Sequence, residues 1–410
     1  MNICKHFGRC GGCTFLDIPY AQELAQKEAT LRETLGPQVS LLEGLIPAPN
    51  PKGYRNKMEL AFGDEGKDGS LALGIRKRRS FYEVATVEKC DLIPQDFRII
   101  ALHVQEFFRG TNETFFHRKR HTGSLRHLVL RRGEFTGELL ICLSTTSTLE
   151  TDLAPLVTQL LELQREHKLV GKITGILYSI NDGVSDTVKD DNIRVLYGQD
   201  RFRESICGLD FTISAFSFFQ TNSAGAEVLY GVVKEMAVQA LSSGFGKAAN
   251  PTENPSPAKP AALPQLAYDL YCGTGTIAQV LSSYFEKVVG IELNPGAIKA
   301  AQENMRLNGI ANCEFFAGDV QELLEPSRAA TPDVVVVDPP RNGLHPKALA
   351  KLITLSPPRL VYVACKPESL ARDMTALVEA GYRPVRAVGV DMFPRTPHVE
   401  CVMLLQRHDS

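Results

Sequence analysis

Asp269–Ala278, with the sequence DLYCGTGTIA, is the stretch that decides the fold. It follows a short apolar run at 265–268 and precedes a segment that can continue as a helix. A strand that ends in a Gly-x-Gly turn and opens a helix brings backbone N–H groups close to a ligand, because Gly273 and Gly275 carry no Cβ. The turn reads G-x-G-x-x-A, which suits NAD as well as S-adenosylmethionine. It therefore predicts a nucleotide-type pocket without choosing its ligand.

The strand-like segments that follow each end in a residue of chemical interest. KVVGIE ends at Glu292, about where a carboxylate accepts hydrogen bonds from ribose hydroxyls. Three further strand-like segments are FFAGD, which ends at Asp319, DVVVVD, which ends at Asp338 and continues as PPRNGL, and LVYVAC, which ends at Cys365. Ligands bind at the carboxyl ends of strands in an open α/β sheet, so these residues mark one predicted site.

The last two predicted strands distinguish a methyltransferase sheet from a dinucleotide-binding sheet. Residues 382–393 and 398–406 predict two more strands without a long helix between them. Parallel strands finished by a terminal hairpin fit a methyltransferase sheet better than a dinucleotide-binding one. The predicted fold class is α/β, with a Rossmann-like class I methyltransferase domain over 216–410. This domain includes a loop at 242–264, with five prolines, that we expect to be mobile.

Composition and charge limit the function. The 410 residues leave room for two or three domains, and 44% hydrophobic residues are ordinary for a soluble globular protein. No run approaches membrane-spanning length and the N-terminus lacks a signal peptide's apolar core, so we expect a cytoplasmic protein. Residues 117–132 carry six Lys or Arg and three His without Asp or Glu, and 76–79 reads RKRR. Such runs are usually solvated surface, but in a chain of net charge −2 they also suit a phosphate backbone.

The first half combines a β-rich pattern with cysteines in the spacing of metal ligands. Residues 54–215 alternate apolar and polar positions around Gly and Asp turns, with helical exceptions near 94–109 and 149–167, which predicts an α+β architecture. A C-x5-C-x2-C motif and a fourth cysteine in a polar turn favour an iron–sulfur cluster, with zinc as the alternative. These predicted ligands are Cys4, Cys10, Cys13 and Cys90. Three other thiols, in or beside apolar strand-like runs, are predicted to be buried without a ligand role: Cys142, Cys207 and Cys313.

Two residues near the C-terminus point to specific chemistry. Cys365 precedes KPESLARD, which suits the first turn of a helix, and a thiol at a helix N-terminus is favoured as the nucleophilic thiolate. The alternative is a small buried hydrophobe. Glu400 enters an apolar strand, where desolvation raises the pKa of a carboxyl toward that of a useful base. Its alternative is a strand-edge charge facing water.

Taken together, the motifs resemble the RNA 5-methyluridine methyltransferases over nearly the whole chain. The matching segments are CKHFGRCGGC with Cys90, FFQTN, DLYCGTGT, GIELNPGAI, VDPPRNGL, ACKPESLARD and DMFPRTPHVE. The resemblance implies that Cys365 is the nucleophile, that Glu400 is the base and that the first-half cysteines hold a [4Fe-4S] cluster. It implies S-adenosylmethionine as the methyl donor. The predicted cofactor site comprises Gln220, Tyr271, Gly273, Gly275, Thr276, Glu292, Asp319 and Asp338, of which Thr276 and Asp319 occupy more variable positions.

The implied reaction is methylation of uracil C5 after the thiolate adds to C6. A flipped or single-stranded uridine is expected, because the target base has to leave its stack. The implied organisation is a cluster segment with the start of an RNA-binding region at 1–93, the remainder of that region at 94–215, and the methyltransferase domain. We expect 23S rRNA rather than tRNA as the partner, a monomer, no obligate protein partner and no membrane association.

The chain departs from the family pattern in two places. Ala364 and Lys366 flank the thiol where the family usually reads Ser-Cys-Asn-Pro, which affects local hydrogen bonding. Arg395 and Pro397 stand where the family more often has His or Gly, which predicts altered RNA contacts near Glu400.

Other functions are compatible with parts of the sequence. They are a catalytically inactive RNA-binding scaffold, a methyltransferase acting on a small molecule or on nitrogen, and an NAD-dependent dehydrogenase. The Cys365 and Glu400 pair argues against each, because a scaffold has no use for both residues and the other reactions need neither.

Overall fold

A computed structural model describes residues 4–66, 69–184, 192–242, 264–324 and 331–407. The predicted loop at 242–264 lies outside these described residues except at its two ends. The chain groups into two compact units, each assembled from several segments. The first comprises Met1–Glu23, Ala48–Ala224 and Phe393–Pro397, and the second comprises Leu24–Pro47, Gly225–Met392 and His398–Ser410. The division into domains at 93 and 215 stays a prediction.

Helices and strands follow one another through the described ranges. In chain order they are α1 (Tyr20–Leu35), β1 (Leu42–Ile46), β2 (Lys57–Asp64), β3 (Leu71–Arg76), β4 (Val84–Thr86), α2 (Gln95–Arg109), β5 (Leu125–Arg132), β6 (Glu138–Thr145), α3 (Ala154–Arg165), β7 (Lys172–Ile180), β8 (Ile193–Gly198), β9 (Arg201–Ile206), β10 (Leu209–Ser214), α4 (Ser223–Ser242), β11 (Leu266–Leu270), α5 (Thr276–Leu281), β12 (Lys287–Glu292), α6 (Pro295–Leu307), β13 (Cys313–Ala317), α7 (Val320–Leu323), β14 (Val334–Val337), α8 (Pro346–Leu355), β15 (Arg359–Ala364), α9 (Pro367–Glu379), β16 (Tyr382–Val390) and β17 (Glu400–Arg407). None of these helices has the length and apolar character needed to span a bilayer.

The first unit is built on a seven-stranded sheet in the order β4-β3-β2-β5-β6-β7-β8. Neighbouring strands are antiparallel except β6 and β7, which are parallel and are joined through α3. Helix α2 buries Phe97, Ile100, Val104 and Phe108 at helical spacing, which explains why this segment folds as an amphipathic helix. The predicted α+β architecture with helices near 94–109 and 149–167 is confirmed.

One thiol prediction in this unit is wrong. Cys207 is exposed, because it lies in the turn between β9 and β10 with a left-handed φ of 53°. Cys142 and Cys313 are buried, as predicted. A hydrophobic pattern on both sides of a residue therefore does not bury it when the residue itself forms the turn.

The second unit is built on an eight-stranded sheet in the order β1-β16-β17-β15-β14-β11-β12-β13. The strands from β11 to β15 pair in parallel with their neighbours, and β17 runs antiparallel to both β15 and β16. This is the predicted methyltransferase arrangement of parallel strands finished by a terminal hairpin. Strand β1, from the first fifty residues, pairs in parallel with β16, an addition that the sequence analysis does not predict.

The core of the second unit explains why its strands are so uniformly apolar. The residues of β14 are fully buried, because helices cover both faces of a parallel sheet. Leu370, Met374 and Leu377 of α9 pack into the same cluster as Tyr362 of β15. The parallel strands then end at one edge of the sheet, where the predicted site residues lie.

Gly275 has a packing role in addition to the one that the sequence suggests. Its φ is 74°, and a Cβ placed there would lie 2.6 Å from the ring of Phe315 and 2.9 Å from Ala301 Cβ. The missing side chain therefore allows close packing inside the protein, in addition to the left-handed turn that opens α5.

We expect Gly275→Ala to lower the free energy of unfolding by about 1–3 kcal/mol, because overpacking adds to the strain of a left-handed residue. Gly309→Ala is the matched control, since Gly309 has a φ of 64° with no atom within 4 Å of the added Cβ. Urea denaturation of both variants measures the difference. Equal losses would show that the Phe315 contact contributes nothing.

Candidate active site

The antiparallel pairing of β15 with β17 brings the two predicted chemical residues together. The register pairs Ala364 with Cys401. Cys365 follows the first of these residues and Glu400 precedes the second, so the two lie opposite each other at the end of the ladder. Residues separated by more than thirty positions in the sequence become neighbours through strand pairing alone.

Glu400 is a buried carboxyl group with a free oxygen. The residue is 3% exposed, and its Oε2 has no hydrogen-bond partner among the described residues. Burial, and then the charge of Asp338, raise its pKa to about 8, while Arg341 acts in the opposite direction. This agrees with the expectation of a raised pKa. A buried oxygen without a partner is costly unless a ligand supplies the missing donor.

Cys365 is half-buried and lies two residues before α9. Burial, then Glu400 and Asp338, raise its pKa to about 11, and Arg341 lowers it. The expectation that the helix N-terminus favours the thiolate is therefore wrong, because the pKa of Cys365 is raised and not lowered. A helix terminus stabilises an anion by about 1 kcal/mol, less than one pKa unit, so burial and two carboxylates outweigh it.

Asp338 lies beside this pair at the end of β14. Its backbone N–H donates to Leu270 O at 3.3 Å, and burial raises the pKa of its carboxyl to about 7. The loop that follows is fixed by Asp373 of α9, whose Oδ2 accepts hydrogen bonds from Leu344 N and Tyr362 Oη, both at 2.7 Å. The buried carboxylate of Asp373 thus holds the end of the loop at Leu344 against α9.

The glycine turn lies at the end of β11, the neighbouring strand. Tyr271 has a φ of 63°, a conformation that non-glycine residues rarely adopt and that is concentrated at functional sites. The backbone N–H of Gly273 donates to Glu292 Oε2 at 3.2 Å. Thr276, the first residue of α5, is buried. The turn and the acidic end of β12 are therefore directly linked.

The two remaining acidic residues end β12 and follow β13. Glu292 Oε1 accepts from Asn294 N at 2.9 Å, and each of its oxygens still has a lone pair for a further donor. Asp319 caps α7 by accepting from Gln321 N at 2.8 Å, and the side-chain hydrogen bond from Gln321 lowers its pKa. The structure thus brings every predicted second-unit site residue to one edge of the sheet.

Gln220 belongs to the first unit, in the segment between β10 and α4. Asn56 Nδ2 donates to Gln220 O at 2.9 Å and to Ser223 Oγ at 2.7 Å. The Ser223 hydroxyl in turn donates to the buried carboxylate of Glu204. This network holds the backbone of the FFQTN motif.

Sequence reasoning missed three side chains near this edge of the second unit. Arg341 is the cation that opposes the pKa rise of both Cys365 and Glu400. Leu293 and Phe316 are large apolar residues that are 66% and 48% exposed, directly after Glu292 and at the end of β13. Leu293 adjoins Glu292 and Phe316 lies three residues before Asp319, so their positions are visible in the sequence, whereas their exposure is known only from the fold.

The predicted cluster ligands are four half-buried thiols of the first unit: Cys4, Cys10, Cys13 and Cys90. Burial, followed by the other three sulfurs, raises the pKa of Cys13 to about 12. Gly12 N donates to Cys10 Sγ at 3.3 Å. Within the described ranges, no three His, Cys, Asp or Glu side chains are arranged to hold a single metal ion.

The position of Arg395 corrects another expectation. The sequence predicts altered RNA contacts at this residue, but its guanidinium is mostly buried and lies 3.3 Å from Glu23 Oε2. It also donates to Ile18 O at 3.1 Å and lies over the Tyr20 ring. This residue therefore stabilises the first unit from inside.

Comparison with known proteins identifies the family. A sequence model described as tRNA (uracil-5-)-methyltransferase matches residues 264–408. An uncharacterized RNA methyltransferase of Clostridium acetobutylicum is 42% identical over 98% of this chain and 83% of its own length. The chain belongs to the RNA uracil-5-methyltransferase family. An RNA methyltransferase of Caldanaerobacter subterraneus subsp. tengcongensis is 40% identical over 98% of this chain and 84% of its own length.

A solved structure supports the same family. The tRNA (uracil-54, C5)-methyltransferase of Pyrococcus abyssi, in complex with S-adenosyl-L-homocysteine, is 29% identical with a TM-score of 0.73. The similarity covers 97% of this chain and 86% of that one. The chain is thus an S-adenosylmethionine-dependent RNA uracil-5-methyltransferase, and the dehydrogenase alternative is wrong.

The opposed charges around Cys365 allow a test of the site's electrostatics. We expect Glu400→Gln to lower the pKa of Cys365, since it removes a negative charge, and Arg341→Gln to raise it, since it removes a positive one. The pH dependence of Cys365 alkylation by iodoacetamide, followed on its peptide by mass spectrometry, measures both. Shifts in the same direction would indicate loosened packing and contradict the charge assignment.

Proposed function

We propose that this enzyme methylates C5 of a uridine in RNA through a covalent adduct between Cys365 and uracil C6, with Glu400 as the base. The observation that carries the proposal is the buried Oε2 of Glu400, which lacks a partner among the described residues, in a residue that the strand register places opposite Cys365. A carboxyl group held in this way is suited to accept a proton from a carbon beside the sulfur.

The residues at the sheet edge fit S-adenosylmethionine, which supplies an activated methyl group. Glu292 has free lone pairs for the ribose hydroxyls, and the exposed faces of Leu293 and Phe316 suit the adenine ring. We assign Tyr271, whose φ of 63° is unusual for a non-glycine residue, and Asp338 to the remainder of the pocket. Gln220, Gly273, Gly275, Thr276 and Asp319 complete the proposed cofactor set.

The proposed reaction begins and ends with the free thiolate. The Cys365 thiolate adds to C6, which places negative charge on C5 and O4 of the ring. C5 then forms a bond with the methyl carbon, and S-adenosylhomocysteine leaves. Glu400 removes the C5 proton, the C5–C6 double bond returns, and the thiolate is eliminated. Arg341 favours the thiolate, because its charge lowers the pKa of Cys365.

The four first-unit cysteines fit a [4Fe-4S] cluster. Cys90 accepts backbone hydrogen bonds from Leu92 and Ile93, and Gly12 donates to Cys10, which are contacts that stabilise sulfur ligands of a cluster. A Cβ on Gly12 would lie 3.2 Å from the end of the Leu92 side chain and 3.5 Å from the Cys10 sulfur, so the cysteine loop is closely packed there. Methyl transfer through covalent addition needs no electron, so the proposed role of the cluster is structural.

The proposed RNA target is 23S rRNA. We also propose that the enzyme is a monomer and that it acts in the cytoplasm. The similar Pyrococcus abyssi enzyme is named for uracil 54 of tRNA. The experiment on Glu400 therefore has to identify the RNA as well as the adduct.

Glu400→Gln should methylate its RNA once and remain attached to it, because addition and methyl transfer precede proton removal. We expect a slow band on a denaturing gel, and sequencing of the RNA trapped in cells should recover 23S rRNA. Cys365→Ala is the matched control and should show no band. A band that persists in Cys365→Ala would assign the nucleophile elsewhere, while trapped tRNA would refute the 23S target alone.

The cluster has its own test. Anaerobic purification should give a brown protein that contains iron and acid-labile sulfide, and Cys13→Ser should lose both. Cys207→Ser, which changes an exposed thiol of the same unit, should keep them. A colourless protein with stoichiometric zinc would refute the cluster.

A further inference from the structure

The two basic runs of the first unit lie beside each other in the fold. Lys77–Phe81 lies in the connection between β3 and β4, and His117–His121 lies between α2 and β5. The ring of His117 stacks on Tyr82 at 4.2 Å with an interplanar angle of 20°, and Phe115 lies 6.0 Å from the same tyrosine ring. Aromatic stacking thus brings together two turns that are distant in sequence.

Backbone hydrogen bonds fix the conformation of both turns. Lys77 N donates to Glu83 O at 2.9 Å, and Ser80 N donates to Lys77 O at 3.2 Å. In the other turn, His121 N donates to His117 O at 2.8 Å. Side chains that project from such turns lose little backbone entropy when they bind a ligand.

The exposed cations of these turns are not neutralised. Lys77 pairs with Glu83 at 3.1 Å. By contrast, Arg79, Lys119 and Arg120 are exposed, and none of them pairs with a carboxylate in the portion of the chain that the structure describes. A cluster of positive charge without internal partners favours a polyanion.

An exposed aromatic ring lies among these charges. Phe81 is 67% exposed and adjoins the stacked Tyr82. A nucleobase stacks on such a ring only if its face is free, as in single-stranded RNA, whereas a duplex presents mainly phosphates. An acidic peptide would satisfy the cations but has no flat aromatic partner for Phe81.

We infer that Arg79, Phe81, Lys119 and Arg120 form one docking surface for single-stranded RNA, in which the cations contact phosphates and Phe81 stacks on a base. The inference rests on the proposed function, since it assigns a surface of the first unit that holds the RNA substrate. We call these four residues the basic face.

The test measures binding of a fluorescein-labelled twelve-nucleotide oligouridine to the full chain over a range of salt concentrations. A plot of log affinity against log salt concentration has a negative slope. The triple variant Arg79→Gln, Lys119→Gln and Arg120→Gln should make this slope shallower by about 2. Phe81→Ala should weaken binding about tenfold without changing that slope.

Matched controls separate the basic face from general charge and exposure. The triple change Arg165→Gln, Lys168→Gln and Lys172→Gln removes the same charge from other exposed positions of the same unit. Phe135→Ala removes an aromatic residue that is 50% exposed. Both controls should retain affinity, and all variants should bind S-adenosylhomocysteine like the wild type in calorimetry.

Several outcomes would overturn the inference. They are an unchanged salt slope in the basic-face triple variant, equal losses in the controls, and equal affinity for polyglutamate. Equal weakening of a twelve-base-pair RNA duplex by Phe81→Ala would also refute base stacking. Failure of the proposed function is distinguishable, because a wild type that transfers no tritiated methyl group to RNA can still bind oligouridine through the basic face.

Discussion

The pairing of β17 with β15 is the constraint on which the rest of the site depends. Side chains alternate between the faces of a strand, so a register shift of one residue would turn Glu400 away from Cys365. The register is held by cross-strand pairs, most of them apolar, from Arg359 opposite Gln406 to Ala364 opposite Cys401. The chemistry of the site is therefore specified by core packing several residues away from it.

Much of the second unit is predictable because its signals are local. Each parallel strand is a short apolar run that ends in a polar residue, and parallel strands present their carboxyl ends at one edge. Glu292, Asp338 and Cys365 reach the same edge for this reason. The predicted position of Glu400 follows from a motif match, and strand pairing in the structure gives it a physical basis.

The errors concern properties that arise from residues distant in sequence. The position of Cys365 before a helix suggests a lowered pKa and a reactive thiolate. The charge of Glu400, which comes from another strand, instead helps to raise that pKa. The interpretation of Arg395 depends on its sequence neighbours, but its partner Glu23 lies near the other end of the chain. Strand β1 and the segmented units likewise depend on long-range contacts that have no local sequence signal.

Burial of Glu400 links stability to function. A carboxyl whose pKa is higher in the folded chain than in the unfolded one destabilises the fold when it ionises. The contribution of Glu400 to the free energy of unfolding is therefore fully present below about pH 4.5 and is lost as pH rises toward 8. Ionisation of Glu400 costs on the order of 5 kcal/mol at pH values above that range, since each pKa unit corresponds to about 1.4 kcal/mol. The base must be ionised to accept a proton, so the pH range in which it can act is the one in which the fold is under electrostatic strain. A hydrogen bond from a protein donor to Oε2 would relieve that strain, but it would also lower the basicity and occupy the oxygen that the reaction requires. The absence of such a donor among the described residues is therefore a cost in stability that the proposed chemistry explains.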